Sequence, residues 1–454
     1  MIENSVDIAF FVYLAAWLAL PAVLFMVHTR NHAPGGFLVY TYIFGFIMSH
    51  WFGALAHASP WNNFSDSTNT VVGFRYSTIG MFALAAGALL IDVVRPLDLR
   101  QHSHHVPKRM RATQIRSLQS LDQLAAKTYM PIGIIAWLAS FTALSSLPSA
   151  GAILSVGKQC LLLGMCLLCW SAWHQGNRSR VTLLLGLSAL LPVATVLSSG
   201  FIGYGIVMVV TILAFIAMFY RPRWHLLACL ALLLYGGVSL WVTYAAHRNE
   251  IRASVWGGEN TSNRIDKLTK MISEFGPFDI TDQTHLYYVD LRLNQNELVG
   301  AAIATTPAMV PFRDGETIYA AMAAVIPRFL WPDKPAVGGS GDYVSQHTLI
   351  TFAANTSVGM GQVLEFYINF GLTGVIVGFA LLGMALRYLD MRLAESLVAS
   401  DWNTVMLVFL VGSGLLQAGG SLMEVAASAA TGWVLSTALA YILQWTNRST
   451  QASQ

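Results

Sequence analysis

An all-α polytopic membrane fold of about eleven transmembrane helices, with one large helical loop on its outer face, is what three observations on this sequence predict. Hydrophobic residues fill 55% of the 454 positions and charged ones only 11%, with a mean hydropathy of +0.56, far from the balance of a soluble globular protein. Apolar runs long enough for a helix to cross hydrocarbon recur along the chain. One stretch, 247–359, breaks that rhythm. The chain therefore divides into an N-terminal bundle of about eight spans (1–246), a large outer loop (247–359) and about three C-terminal spans (360–454).

The predicted spans lie near 7–28, 37–58, 71–94, 128–146, 158–174, 181–198, 203–220, 225–246, 360–388, 403–418 and 424–446, the pair at 181–220 being the least regular. The first run lacks a basic n-region and a small-residue cleavage site, so it reads as a retained helix and not a signal peptide. Orientation follows from Lys and Arg in short loops. With the N-terminus outside, Arg30, the set from Arg95 to Lys127, Arg178, Arg180, Arg221, Arg223, Arg387, Arg392 and Arg448 all fall inside, and the short outer loops keep only Lys158. The net charge of +3 hides this segregation and gives no case for nucleic acid binding. Cys160, Cys166, Cys169 and Cys229 lie in or beside apolar spans and read as small packing residues. No internal repeat is evident, which counts against transporters built from inverted repeats.

The loop carries its own helix signals. "TSNRIDKLTKMISEFGP" offers Asn263 as a cap, Ile265, Leu268, Ile272 and Phe275 at helical spacing, and Gly276-Pro277 as a stop. A second helix is predicted over about 284–304, and a third follows Asp314 as N-cap, with Glu316 in its first turn and Pro327 as its end. The run 299–311 is apolar, too short to span and broken by Pro307, so it predicts an interfacial or re-entrant segment. A cap that dips into the membrane suits a substrate with a lipid part.

The loop's basic residues, Arg248, Arg252, Arg264, Lys267, Lys270, Arg292, Arg313, Arg328 and Lys334, lie outside the reach of the positive-inside rule. Guanidinium groups stay charged in a partly dry site and grip phosphate oxygens in pairs. Pairing with the loop's twelve acids, against its nine bases, is the structural alternative for each. In "IPRFLWPDKP", Pro327, Pro332 and Pro335 predict an extended, preorganised strap, with Trp331 at the water–lipid interface and Arg328 and Lys334 held in place.

That strap, preceded by "FRDGETIY" and followed by "GQVLEFYINFGLTGVIVG", resembles the bacterial oligosaccharide repeat-unit polymerases (Wzy-type, related to the O-antigen ligases). The matching positions are Pro327, Arg328, Trp331, Pro332, Lys334 and Pro335, then Glu365, Tyr367, Asn369, Gly371 and Gly374, within roughly residues 310–375. The resemblance implies a GT-C-like fold in a bacterial inner membrane and an enzyme that joins undecaprenyl-pyrophosphate-linked oligosaccharides, donor and acceptor alike, on the periplasmic face. A chain-length regulator is the implied protein partner. An acceptor hydroxyl would attack the donor's anomeric carbon with inversion, and undecaprenyl pyrophosphate would leave.

Residue roles follow from that chemistry. Arg328 with Arg313 and Arg292, and Lys334 or Arg252 beside them, would stabilise the leaving pyrophosphate. Arg248, Trp331, Tyr367 and Arg75 complete the predicted substrate-binding set. The general-base candidates are Glu365, Glu316, Asp314, His347 and Glu424, with Glu365 first because an acid near the end of a span is costly unless used or paired. A salt bridge between Glu365 and a loop Arg is the competing reading. Arg75 either pairs with Glu424 or Asp66 or lines the cavity. His50, His57, Trp51 and Trp61 cluster near the outer end of the second span as an aromatic belt, with sugar stacking a weaker reading. His102, His104 and His105 sit in a basic inner loop that reads as solvated, so neither a metal nor another cofactor is expected.

Two other readings remain distinct. A ligase would carry a His-rich motif where this chain reads "GQVLEFYINFG". A lipid-linked glycan transporter would spread charge through its spans, whereas here charge concentrates in one outer loop.

Overall fold

The computed structural model describes residues 7–30, 36–62, 68–95, 112–142, 148–219, 224–326, 331, 340–352 and 358–452, and among them every regular element is a helix. The N-terminal part comprises α1 (Ile8–Arg30), α2 (Phe37–Ala58), α3 (Thr68–Val94), α4 (Ala112–Leu124), α5 (Met130–Ala139), α6 (Pro148–His174), α7 (Arg178–Ser188), α8 (Leu191–Ser199), α9 (Ile202–Ala217) and α10 (Trp224–Trp256). The loop holds α11 (Thr261–Ser273), α12 (Gln283–Leu293), α13 (Gln295–Thr305), α14 (Glu316–Ala324) and α15 (Ser340–Thr348). The chain ends with α16 (Gln362–Ala399), α17 (Trp402–Gly414) and α18 (Leu422–Ala452).

Among the described residues seven helices are long and apolar enough to cross a membrane: α1, α2, α3, α6, the α7–α8 pair, α16 and α18. The apolar helices α9 and α17 are shorter. The core lies where α3 packs along α16 and α2 packs against both, with Phe46 stacked on Phe379 and Phe37 on Phe409. Cys160, Cys166 and Cys169 are buried free thiols in α6, packing residues as expected.

Helix boundaries in the loop differ from the sequence reading at three places. Asn260, not Asn263, precedes α11, and the face that α11 buries is Leu268 and Met271, while Ile265, Ile272 and Phe275 are exposed. The single helix expected over 284–304 is two, broken at Asn294 (φ −117°, ψ 75°). Gly315, not Asp314, sits at the N-cap of α14; its φ of 93° is a conformation that glycine adopts at no steric cost. The run expected to be interfacial or re-entrant begins inside α13, which packs lengthwise on α3.

That packing needs small residues. A Cβ on Gly73 would overlap the carbonyl oxygen of Asn296, and one on Gly300 would overlap that of Asn69, so two backbones meet with no side chain between them. Beneath this contact His50, Ser77 and Asn296 form a buried polar knot: His50 Nδ1 lies 2.8 Å from Asn296 Oδ1, and Asn296 Nδ2 donates to the His50 carbonyl at 2.7 Å. His50 is thereby an internal fastener, and Trp51 donates to the Leu14 carbonyl at 2.9 Å.

The close approach sets an expectation for stability. Gly73→Ala and Gly300→Ala should each cost about 1–3 kcal/mol, because backbone cannot yield to the added methyl. Gly186→Ala, with nothing within 4 Å of its Cβ position, should cost nothing. Thermal unfolding in detergent, followed by tryptophan fluorescence, reads the difference; two α3–α13 variants as stable as wild type would mean that the helices do not touch.

Candidate active site

Helix α16 is one helix only in outline. Phe370 (φ −141°, ψ 21°) and Gly371 (φ 61°, ψ −148°) break it, leaving residues 362–369 as a short N-terminal part. A break frees backbone groups that must find partners at membrane depth. The Ile368 carbonyl accepts from the Arg313 backbone N–H at 2.8 Å. Asn369 does the rest: its Oδ1 accepts from Gly315 N–H at 3.0 Å, and its Nδ2 donates to Thr317 Oγ1 and to the Glu365 carbonyl, both at 2.7 Å. The segment 313–317 is therefore clipped to the N-terminal part of α16, which carries Glu365.

The Arg313 side chain is held at three nitrogens. Nε donates to His347 Nε2 at 3.0 Å, Nη1 to Glu316 Oε2 at 3.1 Å, and Nη2 to Gln346 Oε1. Its guanidinium also lies over the Tyr343 ring, 5.3 Å from the centroid. A guanidinium has five N–H groups, so one remains on each terminal nitrogen, the pair that grips two oxygens of one anion. His347 is fully buried on α15. Because Nε2 accepts from Arg313, the ring proton sits on Nδ1 and points to Thr306 Oγ1 at 2.8 Å. Burial, and then the Arg313 charge, push the imidazole down from 6.5 to about 4. His347 is thus a neutral prop for Arg313, and as a base its one free nitrogen is already engaged.

Glu365 is buried (1% exposed) in the first turn of α16, and among the described residues it is in no ion pair. Its Oε2 accepts the Leu422 N–H at 2.6 Å, at the N-terminus of α18, and Thr317 supplies a second hydrogen bond. It borders a small, shallow crevice shared with Thr317, Ser340, Tyr343 and Ser421. Tyr343 joins the two parts: its hydroxyl donates to Glu316 Oε1 at 3.1 Å. Glu316 is half-exposed, tied to Arg313 and Tyr343. Tyr367 donates to the Thr306 carbonyl at 2.9 Å and is buried, a support beneath the site and not a surface for sugar.

The remaining predicted residues lie elsewhere. Arg252 stacks over Phe201 at 4.0 Å and Trp256 at 5.3 Å, its Nε is buried without a hydrogen bond, and it is an electrostatic neighbour of Arg292. These two form a second group, and Arg292 is exposed on α12. Arg248 is half-buried on α10. Arg75 pairs with Asp7 at 3.1 Å and, among the described residues, not with Glu424. Glu424 caps α18 reciprocally with Ser421: Ser421 N–H reaches Glu424 Oε2 at 3.1 Å and Glu424 N–H reaches Ser421 Oγ at 3.3 Å. Trp331 is half-buried. Arg328 and Lys334, like His102, His104, His105 and Asp66, lie outside the described residues. Among the described residues no three His, Cys, Asp or Glu side chains converge as metal ligands.

The sequence reading missed the supporting frame: Gln346, Tyr343 and Thr317. Its only local sign was spacing, since Tyr343, Gln346 and His347 fall on one side of a short helix, three and four residues apart.

The His347 geometry makes stability depend on pH with a definite sign. Below 6.5 the unfolded chain binds a proton that the folded one refuses until about 4. The contribution is complete above pH 6.5 and is lost as pH falls from 6.5 toward 4. Unfolding midpoints of wild type and His347→Gln, compared across that window, should converge on acidification; an unchanged gap would mean that the imidazole is not held neutral.

No curated protein and no solved structure matches the chain. One family does, described as a domain of unknown function (DUF8712), over residues 35–447. That match covers most of the sequence, and the chain belongs to this family.

Proposed function

We propose that this protein polymerises undecaprenyl-pyrophosphate-linked oligosaccharide repeat units at the outer face of a bacterial inner membrane, building a surface polysaccharide. The observation that carries the reading is Arg313: anchored through three nitrogens, with two N–H groups left over, beside a crevice bordered by the Glu365 carboxylate. The resemblance of the segment around it to the Wzy-type polymerases supplies the substrate class. The eleven-span, GT-C-like arrangement with the N-terminus outside and the C-terminus inside belongs to the same proposal.

In this mechanism the acceptor hydroxyl attacks the donor's anomeric carbon from the face opposite the pyrophosphate. Its proton passes to Glu365, whose Oε2 is fixed by the Leu422 N–H. The bond from the anomeric carbon to the phosphate oxygen breaks, and undecaprenyl pyrophosphate leaves with its new charge facing Arg313; the family resemblance assigns Arg328 to the same task. Preorganised donors favour that charge because they need no reorientation as it develops. The energy is carried by the donor, so no nucleotide is needed.

The test is a nanodisc assay with a lipid-linked oligosaccharide, scored by the polymer ladder and released undecaprenyl pyrophosphate. Arg313→Ala, Arg328→Ala and Glu365→Gln should each lower the rate by about 10²-fold or more in folded protein. Arg313→Lys should fail to rescue, since a lysine cannot make the paired contact. Transbilayer movement of the lipid without polymer, from a correctly matched substrate, would replace the polymerase reading with a transporter.

A further inference from the structure

The joint between α12 and α13, where the loop meets the outer end of α3, gathers oxygen atoms of an unusual kind for a membrane bundle. Asp290 lies near the end of α12, Glu297 in the first turn of α13, and Asn294 at the break between them. Asn294 Nδ2 is 2.7 Å from Asp290 Oδ1 and 2.9 Å from Thr70 Oγ1. Thr70 Oγ1 is 3.1 Å from Glu297 Oε2, and Asn69 Nδ2 is 3.0 Å from Glu297 Oε1. Both carboxylates are half-buried, and the groups bonded to them are uncharged. Among the described residues, the ion pairs include neither Asp290 nor Glu297.

An independent feature points the same way. Asn294 is 9% exposed, and among the described residues its buried Oδ1 has no hydrogen-bond partner. A buried amide oxygen left without a partner is costly, and beside the Asp290 carboxylate a cation would satisfy both. Oδ1 belongs to the same amide whose nitrogen touches Asp290, so it lies within about 5 Å of that carboxylate, roughly the width of one Ca²⁺ coordination sphere.

We propose that this joint binds a hard divalent cation of the Ca²⁺ type through Asp290, Glu297, Asn294 and Thr70. The donors are all oxygen, two anionic and two neutral, which suits Ca²⁺ and Mg²⁺ and not thiophilic metals. Ca²⁺ is favoured because it accepts irregular geometry and mixed ligands, with water filling the remaining positions. The ion would cross-link α12, α13 and α3, fastening the outer cap to the bundle. This inference stands apart from the proposed polymerase chemistry.

The test uses the full chain in detergent, freed of cations with a chelator, and follows thermal unfolding as Ca²⁺ or Mg²⁺ is added at constant ionic strength. Wild type should show a saturable rise in the midpoint, at lower concentration for Ca²⁺. Asp290→Asn and Glu297→Gln should raise the half-saturating concentration about tenfold or more. Without cation both should unfold no lower than wild type, since each removes one of two neighbouring negative charges. Asp279→Asn, at an exposed carboxylate outside the joint, should respond as wild type does. No saturable response in wild type, or variants that respond like it, would overturn the proposal. Were a variant to fail to fold, Tb³⁺ luminescence of wild type, excited through its aromatic residues, decides: displacement by Ca²⁺ supports the site, and no displaceable signal overturns it.

Discussion

The break in α16 at Phe370 and Gly371 is the constraint from which the candidate site follows. A continuous helix would satisfy its own carbonyls and have no reason to recruit the loop. Once broken, it exposes the Ile368 carbonyl and the Asn369 side chain, and in a low-dielectric setting both must be met. The Arg313 backbone and Gly315 meet them, so the start of α14 is fixed against the N-terminal part of α16. Gly371, at φ 61° and ψ −148°, occupies a region of backbone space open to glycine and almost nothing else. The side chains that define the candidate site inherit their positions from this backbone arrangement, and a loop of more than a hundred residues is thereby anchored at 313–317.

A second anchor serves the middle of the loop. Helix α13 lies on α3 at backbone contact distance, which only Gly73 and Gly300 permit, and the His50–Ser77–Asn296 knot gives the contact direction. Hydrophobic association alone is weak between helices in lipid, so close packing and buried hydrogen bonds must supply the specificity. The histidine that looked like part of an aromatic belt in the sequence is spent in this way.

How legible was all this in the chain? The all-helical, membrane-spanning character was, because hydrocarbon thickness imposes a length that composition records directly, although the helix expected to end at 246 runs on to Trp256. Arg313, Glu316 and Glu365 were also singled out by charge in an otherwise apolar context. Their partners were not. Glu365 faces an amide of Leu422 and Arg75 faces Asp7, pairings set by packing across the fold and unmarked by any local pattern. Caps failed for a different reason: Asn263 and Asp314 have the right chemistry, but Asn260 and Gly315 stand where the backbone turns, and a sequence offers several acceptable caps within a few residues. Asn294 was invisible as a breaker because asparagine is only mildly unfavourable in a helix, and tertiary contact with Gly53 decided the matter.

The neutrality of His347 is what lets Arg313 act as a binding charge. Of the three side chains that anchor the guanidinium, His347 and Gln346 are uncharged, and Glu316 is half-exposed and screened by solvent. A carboxylate in place of His347, buried and in contact, would hold the arginine as firmly and cancel its charge for any incoming anion. A protonated imidazole would repel it. Only a neutral acceptor orients the group while leaving its field directed outward. The Nδ1–H bond to Thr306 supplies that acceptor by fixing the tautomer, and the Tyr367 hydroxyl, bonded to the Thr306 carbonyl, braces the same residue from α16. The chain from broken helix to Thr306 to His347 to Arg313 is therefore one device: it converts a backbone defect into a fixed and largely uncompensated positive charge at the edge of a crevice.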